Sequence, residues 1–325
     1  MKNKPLIIIS GEPYGVFIEI FLKTIKKKKL KKPLILICSK KLFEKQMKRL
    51  NYKFKINEVK IDDINKLKNN SKIINILNVD FNFKKTFDKI SNKSKGYIDN
   101  CCNIALKIIK KYQLKILING PISKTHFLDK KFPGMTEYFA SKIKAKKDEV
   151  MLIYNKNLSV SPLTTHLPLN KIFKSIKKNK IINHAKKIHE FYRINFNKRP
   201  KIAITGLNPH CETINKFSEE KSIIKPAINK LKTKKINVFG PFPSDTLFLK
   251  KNYKKYDVII GMYHDQVLTP IKTLYEFKAI NITLGLPFLR ISPDHGPNNL
   301  MLGKNLSDPS SLIEIFNFVN NLREN

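Results

Sequence analysis

Tryptophan is absent from this 325-residue sequence, and glycine (11), cysteine (4) and acidic residues (25) are scarce. The four cysteines, Cys38, Cys101, Cys102 and Cys211, form no C-x-x-C pair and no regular spacing, which excludes a disulfide framework and predicts a reducing compartment. The first apolar run, PLIIIS, is too short for a signal peptide, and no other run is long enough to cross a bilayer. We therefore expect a cytoplasmic protein with no membrane partner.

Basic residues, in contrast, are abundant: 64 Lys and Arg against 25 Asp and Glu give a formal net charge of +39. Such an excess is typical of proteins that bind nucleic acid. Here the lysines are spread along the whole chain, and no helix-turn-helix, zinc-finger or RNA-binding motif is present. We predict that most of them lie on solvated helix faces and that no specific nucleic acid is bound. A non-catalytic basic binding protein is the alternative from a different functional class.

Short apolar runs alternate with amphipathic stretches from one end of the chain to the other. The runs PLIIIS, PLILICS, KILING, KIAIT and DVIIGM have the length and composition of buried strands. Strands that alternate with helices predict an α/β fold with mostly parallel sheets that are covered on both faces. Because neither an internal repeat nor a long linker is present, any second domain is joined by short crossings.

Three histidines share one sequence setting. His166, His210 and His264 each follow an apolar strand, in a turn that contains Pro or Asp. A single histidine in such a place is more often a structural hydrogen-bonding group, but three at equivalent strand ends predict a divalent metal site with an open coordination position. A metal there would polarise a hydroxyl or carbonyl oxygen. His184 and His189, on a helix rich in charged residues, are expected to be structural.

Cationic and amide side chains near the last strands indicate an anionic substrate. Lys272 and Asn281 are candidate donors, and Arg290 offers the planar fork that grips a carboxylate or phosphate. We predict that Lys272, Asp245 and Asp265 act in catalysis, the two aspartates as a proton relay or as supports for other site residues. The structural alternative for these aspartates is a turn or helix cap.

Two further motifs leave alternatives open. The turn Gly-Glu-Pro-x-Gly after the first strand matches neither the dinucleotide-binding nor the P-loop pattern, so the residues that contact a dinucleotide are not identified. Thr136, which opens a helix with Glu137, is at least as readily explained as a helix cap as by contact with a ligand.

Eight blocks occur in an order typical of one family: GEPYGVFIEI, NGPISK, PGMTEYFA, TTHLPL, GLNPHCE, GPFPSDTLF, GMYHDQ and NITLGLPFLRISPDHG. They resemble the 4-hydroxythreonine-4-phosphate dehydrogenase family of pyridoxal phosphate biosynthesis over nearly the whole chain. The resemblance implies two α/β/α domains, similar to isocitrate and isopropylmalate dehydrogenases, with the active site in the cleft between them. We expect residues of about 1–120 and 283–325 in the first domain and about 121–282 in the second, which carries most metal and substrate residues.

The family oxidises the C3 hydroxyl of 4-phosphooxy-L-threonine with NAD, and the 2-amino-3-oxo acid that results loses carbon dioxide to give 3-amino-2-oxopropyl phosphate. The resemblance therefore implies NAD or NADP, one divalent ion (Zn, Mg, Mn or Co) and a homodimer that shares the metal site across its interface. It places the metal ligands at His166, His210 and His264, and the substrate contacts at Thr136, Lys272, Asn281 and Arg290.

The chain departs from the family pattern at two places. Met135 stands where the family has a histidine that contacts the substrate, and a thioether is neither charged nor a useful hydrogen-bond donor. After Arg290, two family hydroxyl residues are replaced by Ile291 and Pro297. Met135 keeps a related substrate, threonate or erythronate 4-phosphate, as an alternative.

Overall fold

The computed structural model describes residues 4–129, 131–145, 148–212 and 217–323. The chain forms two compact units, one of Met1–Lys147 with Leu286–Asn325 and one of Asp148–Gly285. In the described residues the strands are β1 Leu6–Ile9, β2 Leu34–Cys38, β3 Lys55–Glu58, β4 Ile73–Asn78, β5 Ile116–Asn119, β6 Val150–Tyr154, β7 Ser159–Pro162, β8 Ile202–Thr205, β9 Val238–Phe242, β10 Val258–Gly261, β11 Ile280–Leu284 and β12 Leu289–Pro293. The helices are α1 Phe17–Lys27, α2 Lys40–Arg49, α3 Lys95–Tyr112, α4 Met135–Lys142, α5 Leu169–Ser175, α6 Lys178–Phe196, α7 Lys225–Thr233, α8 Ser244–Leu247, α9 Lys250–Tyr253, α10 His264–Tyr275 and α11 Ser310–Asn321.

The first unit is built on a parallel sheet with strand order β3-β4-β2-β1-β5-β12. Every residue of β1 is buried, as expected for a central strand with both faces covered. Apolar residues of α3 recur three or four positions apart, so one stripe of the helix packs on the core. Ser39 caps α2, since its hydroxyl accepts from the Leu42 amide at 3.4 Å.

The second unit contains the strand order β11-β6-β7-β10-β8-β9. Strands β7, β10, β8 and β9 are parallel neighbours, whereas β6 runs antiparallel to both β11 and β7. Apolar residues of these strands and of α10 form one buried cluster that includes Val160, Ile259 and Val267. The predicted α/β class with mostly parallel sheets is confirmed. Within the parts of the chain described above, no helix is long and apolar enough to cross a membrane.

The first unit extends further along the chain than the predicted boundary near residue 120. Phe127, Leu128, Met135 and Phe139 are buried in the core cluster of the first unit, together with side chains of β1 and α3. Because this segment packs on that core, the division falls at residues 147 and 148. Thr136 therefore belongs to the first unit and not to the second.

Candidate active site

The three predicted histidines lie in the segments that follow neighbouring strands of the second unit, and His264 is the first residue of α10. His166 follows β7, His264 follows β10 and His210 follows β8, each within five residues of the strand end. Strand β10 lies between β7 and β8, and all three are parallel. The carboxyl ends of parallel strands meet at one edge of a sheet, which is where ligands bind in α/β proteins.

His166 and His264 form a pair. Their ring centroids are 5.9 Å apart, and the rings are inclined by 39°. His264 Nδ1 lies 2.6 Å from Asp265 Oδ1. A carboxylate there holds the proton on Nδ1 and leaves Nε2 as the nitrogen that can bind a metal. Asp265 thus lies in a position to orient His264.

His210 lies in a turn whose backbone amides donate to a buried carboxylate. Its backbone is left-handed (φ 54°), as is that of Cys211 (φ 60°). One oxygen of Glu220 accepts from the amides of Leu207 at 2.8 Å and Asn208 at 2.9 Å. Burial alone would raise the pKa of Glu220, but the hydrogen bonds from Asn208 and Ser218 outweigh it and lower the pKa. Glu220 is therefore ionised at neutral pH and fixes the turn, while His210 is exposed.

The pair of His166 and His264 offers a divalent metal two ligands from a single chain. Two imidazole side chains on a shared edge are the nitrogen donors that zinc, cobalt and manganese accept. Across residues 4–129, 131–145, 148–212 and 217–323, however, no group of three or more His, Cys, Asp or Glu side chains lies close enough together to hold a metal ion. The structure thus joins two of the three predicted ligands, and His210 is not placed with them in one chain.

The other predicted residues of the second unit are distributed around this edge. Asp245 is exposed on α8, which begins two residues after β9, the parallel neighbour of β8. Lys272 follows His264 on α10 by two turns, about 12 Å along the axis, and its ammonium lies 6.0 Å from the Phe277 ring centroid.

Asn281 on β11 has an unsatisfied acceptor. Its Oδ1 is buried and has no hydrogen-bond partner among the residues that the structure describes. A buried acceptor of this kind costs free energy unless a donor pairs with it. This observation is consistent with the predicted contact between Asn281 and a substrate.

Arg290 is buried in the first unit. Its Nε donates to Asn119 Oδ1 at 2.6 Å, which links β12 to the end of β5. Burial lowers the pKa of Arg290 to about 10, and the nearby Cys102 and Glu137 oppose the shift, so the guanidinium stays charged at neutral pH. A charged fork that reaches the end of β5 through Asn119 suits an anionic group.

Thr136 and Met135 lie at the start of α4. The N-cap of this helix is Gly134, so Thr136 is not the cap, and its side chain is buried. Met135 is also buried and packs in the apolar cluster with Tyr138 and Phe139. The side chain that replaces the family histidine is therefore part of the core.

The sequence pointed to the turn that contains Glu12 but did not mark the Glu12 carboxyl group as a site residue. Glu12 is 1% exposed, and neither of its oxygens has a hydrogen-bond partner among the described residues. Burial raises its pKa from 4.5 to about 7, and the Ser94 hydroxyl and the Ser123 backbone, which are near the carboxyl group but outside hydrogen-bonding geometry, oppose the rise only in part. The available signal was an acidic residue in the turn that follows a wholly apolar strand.

His184 is structural, as predicted. It is buried, and its Nε2 lies 2.6 Å from the Ser161 hydroxyl. Burial lowers its pKa to about 3, and Lys180 and Lys187 lower it further, so the ring is neutral throughout the physiological range.

Known proteins are similar to this chain over nearly its whole length. The family model described as pyridoxal phosphate biosynthetic protein PdxA matches residues 29–319. The 4-hydroxythreonine-4-phosphate dehydrogenase of Sulfurihydrogenibium sp. is 38% identical over 315 residues, covering 95% of both chains. That of Colwellia psychrerythraea is 32% identical and covers 98% of both. The crystal structure of the Klebsiella pneumoniae enzyme of that name superposes with a TM-score of 0.82 at 24% identity, covering 97% of this chain and 98% of its own.

Proposed function

The chain belongs to the PdxA family of pyridoxal phosphate biosynthetic proteins and is an oxidoreductase, and we propose that it oxidises the C3 hydroxyl of 4-phosphooxy-L-threonine in a metal-dependent reaction with NAD or NADP. The 2-amino-3-oxo acid that forms then loses carbon dioxide to give 3-amino-2-oxopropyl phosphate. The observation that carries the proposal is the pair of His166 and His264, 5.9 Å apart, with Asp265 on one ring.

When bound, a divalent ion supplies Lewis acidity and the dinucleotide supplies a two-electron acceptor. His166 and His264 would hold the ion through nitrogen donors, and Asp265 would keep His264 in the tautomer that this needs. We assign proton transfer to Lys272 and Asp245. Thr136, Asn281, Arg290 and, again, Lys272 are assigned to substrate binding.

We assign the third metal ligand, His210, to a second copy of the chain. The described part of one chain holds no set of three donors, so the pair of one copy requires a donor from elsewhere. Leu167, Leu169 and Phe173 lie within seven residues after His166 and are exposed, Leu169 by 73%. Apolar side chains beside a metal ligand are consistent with a surface that a second copy covers.

A second candidate substrate is threonate or erythronate 4-phosphate. Both lack the ammonium group of 4-phosphooxy-L-threonine and keep its phosphate. Met135 favours this candidate, because a buried thioether cannot make the polar contact of the family histidine.

The test is NAD(P)H production from 4-phosphooxy-L-threonine by the unaltered protein and by His210→Ala, with and without a chelator. We expect turnover that the chelator abolishes and that the variant lowers by at least about 100-fold, because a metal ligand is lost. His189→Ala, in the same unit on α6, is the matched control and should retain activity. Turnover of threonate or erythronate phosphate alone would favour the second candidate. Failure with all three substrates would overturn the proposal.

A further inference from the structure

A buried polar network lies beneath the three histidine-bearing turns. Thr164 Oγ1 donates to the Met262 carbonyl at 2.8 Å, and the Met262 amide donates to Gln266 Oε1 at 2.7 Å. The same oxygen accepts from Thr205 Oγ1 at 2.8 Å, and Gln266 Nε2 donates to the Gly206 carbonyl at 2.8 Å. Thr164, Met262, Gln266 and Thr205 are all at most 8% exposed.

The amide of Gln266 can face only one way. Gly206 offers a carbonyl, which needs the Gln266 N–H, and Met262 offers an N–H, which needs the Gln266 oxygen. A flipped amide would lose both bonds and oppose like groups. Because the partners are buried, each broken bond would leave an unsatisfied group away from water.

The members of this network come from each of the three turns. Thr164 precedes His166, Met262 precedes His264, and Gly206 opens the turn that contains His210. The backbone of Met262 is shared, because its carbonyl accepts from Thr164 of one neighbouring turn and its amide reaches the other turn through Gln266. The network therefore links the histidine pair to His210 by side-chain bonds in addition to the sheet.

We propose that Gln266, with Thr164 and Thr205, is a positioning device that sets the separation between the His166–His264 pair and His210. The inference rests on the proposed function, in which two copies each give a pair to one site and His210 to the other. In such a symmetric assembly both sites form together only if that separation is the same in each copy. Gln266 touches neither metal nor substrate and acts through the turns.

The experiment measures Co²⁺ binding to the full-length protein by calorimetry and visible absorption, with unfolding temperature recorded in parallel. Gln266→Met keeps the length of the side chain and removes all three of its hydrogen bonds. Thr164→Val and Thr205→Val remove one bond each and keep the shape, so they serve if Gln266→Met does not fold. The matched control is Tyr192→Phe, which removes a buried 2.8 Å bond to Ser159 at the opposite end of β7.

We expect Gln266→Met to bind Co²⁺ at least about tenfold more weakly, with an altered absorption spectrum, and the threonine variants to show smaller losses. Tyr192→Phe should lower the unfolding temperature by a similar amount and leave Co²⁺ affinity unchanged. Unchanged Co²⁺ affinity in folded Gln266→Met, or in both threonine variants, would refute the positioning role and leave the proposed function intact. If the unaltered protein bound no Co²⁺, the proposed function itself would fail.

Discussion

At the scale of single residues, Glu12 is a carboxyl group in an apolar environment. It follows a strand that is entirely buried, and its carboxyl group has no hydrogen-bond partner in the described part of the chain. Its pKa of about 7 means that folding favours the protonated form at moderately acid pH. The folded protein binds this proton more tightly than the unfolded chain does.

Stability should therefore fall as the pH rises from about 4.5 to about 7. The contribution of the neutral carboxyl is fully present below the unfolded pKa of 4.5 and is lost by the folded pKa of about 7, a difference of about 3 kcal/mol. We predict that Glu12→Gln, which cannot ionise, is more stable than the unaltered protein at pH 8 by up to this amount. At pH 5 the two proteins should have nearly the same stability. Urea unfolding at both pH values measures the difference.

Glu44→Gln, at an exposed position on α2, is the control and should follow the unaltered protein at both pH values. Equal shifts for the two variants would contradict an effect that arises from burial.

At the scale of elements, the close approach of the turns after β1 and β5 requires a residue without a side chain. The Gly120 amide donates to the Ile9 carbonyl at 2.7 Å. A Cβ on Gly120 would lie 2.2 Å from the Ser10 carbonyl oxygen and 2.7 Å from Phe17 Cγ. The first of these is backbone and cannot rotate away, so the two strand ends would have to separate.

We predict that Gly120→Ala destabilises the protein by about 3 kcal/mol, because the strands must shift to relieve the clash. Gly96→Ala is the matched control: Gly96 lies in α3, and nothing is within 4 Å of the added Cβ. Alanine in a helix should stabilise there by about 0.5–1 kcal/mol. Thermal unfolding separates the two, and a tolerated Gly120→Ala would show that the turns can move apart.

At the scale of the whole molecule, the proposed metal site determines how many chains are needed for activity. His166 and His264 are a pair within one chain, while the third ligand is assigned to a second copy. His210→Ala therefore retains an intact pair, and His166→Ala retains an intact His210. Each variant alone lacks one ligand at both sites.

We predict that a hybrid dimer of His210→Ala and His166→Ala recovers about half of the activity of the unaltered dimer, because one of its two sites regains all three ligands. Coexpression with two different affinity tags and sequential purification isolates the hybrid. The control is a hybrid of the unaltered chain with a chain that carries both His166→Ala and His210→Ala. Neither site of this hybrid has all three ligands, so it should be inactive. An inactive hybrid of the single variants would contradict a site made from two copies.

The sequence by itself determined the elements and the positions of the histidines along them. Apolar runs, turn residues and amphipathic spacing are local signals, so the alternation of strands and helices and the placement of His166, His210 and His264 just after strands could be read directly. The structure confirmed that α/β architecture. The family resemblance came from short blocks of the same local kind.

Only the tertiary structure decided which of these residues meet. The pairing of His166 with His264 without His210, and the bond of Arg290 to Asn119 across 171 positions, depend on the lateral order of strands. Strand order and register are set by packing between distant segments, for which a single sequence carries no local signal. For the same reason Gln266, one amide in a helical stretch, could be recognised only once β8 and β10 were neighbours.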